Sequence, residues 1–313
     1  MKDVSLIKKF GVEKYEIRPG FEVLKYLRSW FVLKRLAKNV AGRDYKFFLD
    51  VTSGVDRAII NLGTFEKAIV EIIKIVCTKT GYTDQLVDIG ANIGNHSVCL
   101  ASVFKKIAAV EPNPIIFKVL EANILRNNIR HASCYNFGLA EHSISATLVA
   151  TKENHSLGKV KHRSTLGAEA FNINETAFDI EHDIQLESTS DFFERFSGIS
   201  GKTFIKIDVE GMEQEILTQL LPFIHAEQPI VGFEWYVREQ LGIKDIIDSL
   251  TNYTAYVIDS NDRPTLNPIL KAIHLFFQGR KFTMELYNPA ILKESYPLVM
   301  LIPSRLNLTN FTE

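Results

Sequence analysis

Four acidic residues stand at the ends of short apolar runs: Asp88 beside Leu86-Val87, Glu111 after Ala108-Ala109-Val110, Asp208 after Ile205-Lys206-Ile207, and Glu234 after Val231-Gly232-Phe233. A carboxylate in such a place can accept hydrogen bonds from hydroxyls, balance a cation, or take up a proton. Asp88 leads into the turn Gly90-Ala91-Asn92-Ile93-Gly94, and Glu111-Pro112 follows, with Glu111 lying 21 residues beyond Gly90. Glycines let the backbone pass close to a ligand, and an acid about 20 residues further on binds ribose hydroxyls in dinucleotide folds. Together the two segments read as a β-α-β unit holding an adenosine-containing cofactor.

A nicotinamide site requires G-x-G-x-x-G, so that a helix N-terminus can approach a pyrophosphate, and this turn is one glycine short. S-adenosylmethionine carries no pyrophosphate but a sulfonium cation and a zwitterionic amino acid. Strand-end carboxylates and turn carbonyls suit both. Asp88 is therefore expected at the methionine ammonium, directly or through water, and Glu111 at the ribose. Asn136 and Phe137 fall where an adenine ring would be flanked, although core packing explains Phe137 equally well.

The second constellation is Lys206-Ile207-Asp208-Val209-Glu210-Gly211. Alternation along a strand puts Lys206, Asp208 and Glu210 on one side if the strand runs that far. A lysine in a central strand is rarely buried unless paired, and the two acids are its nearest candidate partners. Methyl transfer to a hydroxyl needs an aligned acceptor and a destination for its proton. Asp208 or Glu210 can orient the acceptor, act as the base, or hold a divalent ion; either can instead cap the helix expected near Met212. Glu234 is a further catalytic candidate, and His155 and His162 are candidate bases in a polar stretch.

These residues need elements to position them. Lys46–Thr52 and Arg57–Leu62 are expected as short strands around a Ser53-Gly54-Val55-Asp56 turn. A helix follows Gly63-Thr64-Phe65-Glu66, with Ile69, Ile72, Ile73 and Val76 on one face. Gln85–Ile89 is a strand covered on both sides, Asn95–Phe104 a crossover helix, and Ile107–Val110 the next strand. Asn113 caps a helix that has Pro114 at its first position. Ser133–Asn136, Ser145–Ala150, Thr203–Ile207, Ile230–Phe233, Ala255–Ile258 and Val299–Ile302 are further strands, with helices at Ser190–Phe196 and from Met212 to Leu221. Residues 153–181 read as a polar, loop-like insert. The alternation gives an α/β doubly wound, mostly parallel sheet, with the ligand at the carboxyl ends of its strands.

Bulk properties set the boundaries. The 313 residues carry a net charge of -1, which argues against a general nucleic-acid binder. No run approaches the length of a membrane span, and the first residues do not form a signal peptide. Cys77, Cys99 and Cys134 read as buried thiols in a reducing compartment, so the cytoplasm is expected and no metal site is indicated. Residues 1–46 hold 12 Lys/Arg against 5 Asp/Glu, while the remainder of the chain sums to -8. Residues 1–45 are thus expected as a basic helical extension, and residues 46–313 as the main domain. Within the extension, Phe21–Val40 is an amphipathic helix that either meets an anionic membrane surface or packs on its own domain or a second copy of the chain.

Four segments carry a family resemblance: Gly63-Thr64-Phe65-Glu66, Val87-Asp88-Ile89-Gly90-Ala91-Asn92-Ile93-Gly94, Glu111-Pro112-Asn113-Pro114 and Ile205-Lys206-Ile207-Asp208-Val209-Glu210-Gly211-Met212-Glu213. In this order and separation they resemble the FkbM-type S-adenosylmethionine-dependent methyltransferases, from about residue 46 to residue 236. The resemblance implies a seven-stranded, Rossmann-like class I methyltransferase fold with an antiparallel last strand. It also implies methyl transfer to a hydroxyl of a sugar, glycan or other small acceptor. By position it assigns cofactor roles to Asp88, Gly90, Asn92 and Glu111. Phe65, Glu66, Ala91, Gly94 and Pro112 lie in the same matched segments and join the cofactor-binding candidates. Asp208 and Glu210 are marked as site residues. Asn136-Phe137-Gly138-Leu139-Ala140-Glu141 departs from the family's small-residue turn at that place. A non-catalytic cofactor-binding or scaffold protein on the same fold is the alternative.

Overall fold

A computed structural model of the chain describes residues 44–49, 53–151, 154–161, 180–196, 202–237, 240–260 and 282–306. The amphipathic stretch 21–40 and most of the basic extension lie outside the described residues. Residues 45–313 form one compact unit.

The first element corrects the expectation of a strand. Helix α1 spans Gly54–Leu62, because the Ser53 hydroxyl accepts the Asp56 N–H at its start and Gly63, in the left-handed region, donates its N–H to Ile59 O at its end. Residues 45–49 belong to no regular element. Helix α2, Lys67–Thr80, buries Ile69, Val70, Ile73 and Val76, the apolar stripe expected of it.

Strand β1 (Gln85–Ile89) is buried along its length. Helix α3 is shorter than its apolar pattern suggested, covering Asn95–Cys99 before the chain breaks into turns. Strand β2 (Lys106–Val110) and helix α4 (Pro114–Arg126) follow, with the Asn113 side chain accepting the Ile115 and Ile116 N–H groups. Strand β3 is Ala132–Tyr135.

Between β3 and the next core strand, the strand expected at Ser145–Ala150 is present, but residues 154–161 of the expected polar loop form a strand as well. Strands β4 (Gly138–Ala140), β5 (Ile144–Thr151), β6 (Asn154–Lys161) and β7 (Ile180–Ser188) form a second sheet in the order β4-β7-β5-β6. Leu148, Ile184 and Leu186 pack together on one face while alternate residues of β7 are exposed, and β4 is buried throughout. A strand such as β7 is half polar and lacks the continuous apolar run of a covered strand. Residues 162–179 of the insert lie outside the described residues.

Helix α5 (Thr189–Phe196), strand β8 (Thr203–Ile207), helix α6 (Glu213–Glu227), strand β9 (Ile230–Tyr236) and helix α7 (Gly242–Ser249) complete the alternation. Strands β10 (Tyr253–Ser260), β11 (Phe282–Leu286) and β12 (Ser295–Pro303) close the main sheet, whose order is β11-β10-β12-β9-β8-β1-β2-β3. The five strands from β9 to β3 run parallel, and β12 lies antiparallel between β9 and β10. Eight strands replace the expected seven, because β11 adds to the edge beside β10. Apolar clusters cover both faces, one around Trp235, Phe233 and Ile216, the other around Ile73, Leu86 and Phe204. That sandwich fixes the carboxyl edge on which the acidic residues sit.

Candidate active site

The ends of β1, β2, β8 and β9 open on a cavity of about 290 Å³. On one side stand Gly90, Asn92 and Glu111. Each Glu111 carboxylate oxygen accepts a backbone N–H, from Asn92 at 2.9 Å and from Asn113 at 2.8 Å. Burial pushes this carboxyl up to about 7, against the pull of those two hydrogen bonds. A carboxylate offers about four acceptor sites, so Glu111 keeps capacity for hydroxyl donors. Gly90 has φ +77°, and a Cβ there would stand 1.8 Å from Asp208 O, so the two loops touch through bare backbone.

Facing this side are Glu66, Asp208, Glu210 and Glu234. The segment Gly63–Glu66 is tied down by Asn95, whose side chain accepts from Thr64 Oγ1 and Phe65 N–H and donates to Phe65 O. Lys206 is buried beneath, with Nζ 2.8 Å from Asp208 Oδ2. Burial opposes its charge, but Asp208, Asp88 and Glu66 together hold its pKa above the ordinary lysine value. Burial lifts Glu66 to about 7, with Lys206 opposing and Asp208 adding. It lifts Glu234 to about 8, with Asp208 adding. His96, 3.5 Å from Glu66, is held well below its ordinary value by burial and by Lys206, and so stays neutral. Glu66, Asn92 and Glu210 all have positive φ, backbone strain of the kind that gathers at ligand sites.

The structure brings Phe65, Glu66, Gly90, Asn92, Glu111, Pro112, Asp208, Glu210 and Glu234 onto the cavity wall and leaves the other candidates behind it. Asp88 is fully buried in register with Lys206, its Oδ2 accepting the Ser97 hydroxyl at 2.7 Å; it stabilises the lysine from within the core rather than facing the cavity. Ala91 packs in the core, and Gly94 is the left-handed residue that starts α3. Asn136 donates to Glu111 O and Pro112 O, bracing the acidic turn. Phe137 packs against Tyr135 at a tilt and edge-on against Phe192. His155 falls in β6, and His162 lies outside the described residues.

Three features escaped the sequence. Tyr236 lines the cavity because β9 runs past Glu234; the aromatic run Phe233-Glu234-Trp235-Tyr236 was the available signal. Leu148, Val160 and Leu186 of the second sheet form an apolar wall. Where a capping role was weighed for Asp208 and Glu210, Met212 is the N-cap of α6 and supplies no side-chain cap, and the Glu213 carboxylate instead reaches back to accept the Val209 and Gly211 N–H groups and a bond from the Gln240 side chain. An acid in the first turn of α6 was legible, its reach back into the loop was not.

The cavity fits S-adenosylmethionine. Glu111 has spare acceptor sites for a ribose, Gly90 brings bare backbone to the cavity wall, and the acidic wall suits a cation. A β3-β2-β1-β8-β9-β12-β10 sheet with β12 reversed, and such a turn at its carboxyl edge, defines the class I methyltransferase fold, whose cofactor is S-adenosylmethionine. Residues 88–256, more than half of the chain, match the methyltransferase FkbM domain, and the chain belongs to that family.

Among curated proteins none matches. A solved FkbM methyltransferase from Methylobacillus flagellatus KT is similar at 18% identity and TM-score 0.36, over 56% of this chain and 39% of that one. This chain thus spans well under half of that relative's length. Precorrin-6y C5,15-methyltransferase from Geobacter metallireducens matches at 10% identity and TM-score 0.38, covering 82% of this chain and 93% of that one. The O-methyltransferase from Bacillus cereus, solved with S-adenosylhomocysteine, matches at 9% and 0.39, covering 75% and 80%. At these identities and scores nothing about substrate passes to this chain.

Proposed function

We propose that this protein is an S-adenosylmethionine-dependent O-methyltransferase that acts on a hydroxyl of a sugar, glycan or other small hydroxylated acceptor. One observation carries the reading: Asp208, Glu210 and Glu234 face Glu111 across a single cavity whose described lining contains no lysine, arginine or histidine. Carboxylates accept from hydroxyls, and such a wall repels phosphate. The same wall argues against a nucleic-acid substrate.

When bound, S-adenosylmethionine supplies a methyl group on a sulfonium centre. Glu111 binds the ribose hydroxyls, with Asn92 and Asn113 fixing its carboxylate. The Gly90 turn admits the ligand, while Leu148, Val160 and Leu186 keep water from one side. The acids at the ends of β8 and β9 orient the acceptor hydroxyl and receive its proton.

Among the described residues no helix is long and apolar enough to cross a membrane. A cytoplasmic location, a homo-oligomer and contact of residues 21–40 with a membrane surface belong to the proposal.

Calorimetric titration with S-adenosylhomocysteine, with NAD as control, tests the cofactor half. Transfer of labelled methyl to hydroxylated acceptors tests the rest. Binding of S-adenosylhomocysteine alone followed by labelled ether products supports the reading. Binding without transfer to any hydroxyl compound favours the non-catalytic alternative.

A further inference from the structure

Three carboxylates surround the acceptor end, and their surroundings differ. Asp208 is tied by Oδ2 to the buried Lys206 ammonium. At 2.8 Å the ammonium occupies that oxygen and fixes the orientation of the carboxylate. Glu210 sits at φ +56° in the loop that Glu213 holds by its backbone. Glu234 is placed differently. It lies within β9, on a rigid central strand, with its carboxyl on the cavity wall.

The neighbouring strand is shaped around it. Trp235 pairs with Tyr296 and Phe233 with Val299, so two residues of β12, Pro297 and Leu298, stand opposite Glu234 alone. This is a β-bulge, a device that re-aims a side chain and gathers next to active sites. Two positions along, Tyr236 projects from the same face, half-exposed, and lines the same cavity, close enough to Glu234 for each to shift the other's proton affinity. Trp235 points the other way into the core, where its indole N–H donates to Gln240 O and anchors the strand end.

We propose that Glu234 is the catalytic base of the transfer and that Tyr236 is its positioning residue, while Lys206 holds Asp208 to orienting the acceptor. The inference rests on the O-methyltransferase reading above. As the acceptor oxygen forms its bond to the methyl carbon, its O–H bond breaks and the proton passes to the Glu234 carboxylate. The electron pair of the cleaved carbon–sulfur bond stays on sulfur, giving the neutral thioether S-adenosylhomocysteine. Glu234 returns its proton to water at the cavity mouth, beside the exposed Tyr236. The charged and titratable groups facing Glu234 are Asp208, Glu210 and Glu66 across the cavity and Tyr236 on its own strand. Burial and the three acids raise its proton affinity to about 8, and the tyrosine hydroxyl opposes them. A base is most effective when its affinity lies near the working pH.

The test uses the full chain with glutamate labelled at the side-chain carboxyl carbon. By carbon NMR, a resonance titrating near pH 8 should be present in the wild type and absent from E234Q. Y236F should move its midpoint upward, because a donor to the charged form is lost. With tritiated S-adenosylmethionine and a panel of methyl glycosides, E234Q should lose about 100-fold or more in kcat. Its affinity for S-adenosylhomocysteine should stay within about twofold, since no proposed cofactor contact changes. In Y236F the acidic limb of the pH–kcat profile should follow the NMR midpoint, which a merely structural tyrosine would not produce. A Glu234 resonance titrating in the ordinary carboxylate range, or an E234Q chain with wild-type kcat, overturns the assignment. A wild-type chain that binds S-adenosylhomocysteine but methylates no glycoside overturns instead the reading beneath it.

Discussion

Gly90→Ala puts the closest approach in the site under direct test. The new Cβ would lie 1.8 Å from Asp208 O and 2.8 Å from Asp208 C, where real contacts essentially never fall under 3.0 Å, so backbone must move by at least about 1.2 Å. Three costs combine. A side chain at φ +77° costs about 1–2 kcal/mol. Separating the loops weakens the 3.0 Å bond from Asp208 N–H to Ile89 O, worth about 1 kcal/mol. Overpacking against backbone adds about 1–3 kcal/mol. The sum, about 3–6 kcal/mol, is a large part of an ordinary domain's stability of about 5–15 kcal/mol. Gly81→Ala is the matched control: its φ is +71°, but its Cβ would meet only the flexible Lys202 side chain, at 3.3 Å. It should lose about 1–2 kcal/mol from the same backbone strain alone. Urea denaturation of both variants measures the difference, and calorimetry with S-adenosylhomocysteine should find no saturable binding in Gly90→Ala. Equal losses in the two variants would refute the steric reasoning, since strain without contact would then explain both.

Other perturbations probe the carboxylates. Glu111→Ala should weaken S-adenosylhomocysteine binding about tenfold or more, from the loss of roughly 1.5–3 kcal/mol of charge-assisted hydrogen bonding, and unchanged calorimetric affinity would move the ribose contact elsewhere. Lys206→Met leaves Asp208 and the buried Asp88 without their ammonium, and should cost about 3–5 kcal/mol in denaturation. Glu234 titrates near 8 in the folded chain against 4.5 as its ordinary value, so the folded state retains a proton that the unfolded state releases. Its contribution to stability therefore falls as pH rises from about 4.5 to about 8. Glu234→Gln should gain on the wild type across that window in urea midpoints taken at several pH values, and parallel curves would contradict the raised affinity.

How much of this was legible in the sequence follows from what each element buries. Strands β1, β2 and β8 are covered on both faces, so each shows as a largely apolar run, and their boundaries agree with the sequence reading to within a residue. The α4 start was equally plain, because Asn113-Pro114 carries its own cap. Helix α1 was misread because Ala58-Ile59-Ile60 is as apolar as a strand; the capping signature Ser53-x-x-Asp56 and the closing Gly63 outweigh it. Of the second sheet only the Ser145–Ala150 strand was legible, because strands such as β7 alternate buried residues with wet ones. The site divides in the same way. Gly90, Glu111 and Asp208 follow from turns at strand ends. Tyr236 and the Leu148-Val160-Leu186 wall meet only through tertiary packing of segments far apart in sequence, and spacing carries no trace of that. Asp88 had the right sequence context but points into the core, since strand alternation sets its side chain beside Lys206.

The accumulation of acids has a consequence for binding order. Glu66 and Glu111 both titrate near 7, because burial and neighbouring carboxylates disfavour their charged forms. A sulfonium cation brought into the cavity favours those charged forms and lowers both values. Its binding must therefore expel protons below about pH 7, and by linkage its affinity must rise with pH through that range and level off above it. S-adenosylhomocysteine has the same ribose and amino acid but a neutral sulfur, so it should expel fewer protons and gain less from rising pH. Calorimetry in two buffers of different ionisation enthalpy counts the protons for each ligand. Equal counts would mean that the acids do not sense the sulfonium, and that the cavity recognises only the parts the two ligands share. Unequal counts would mean that loss of the positive charge on transfer itself weakens the hold on the product, so that the carboxylates which gather the cation also favour its departure once neutral.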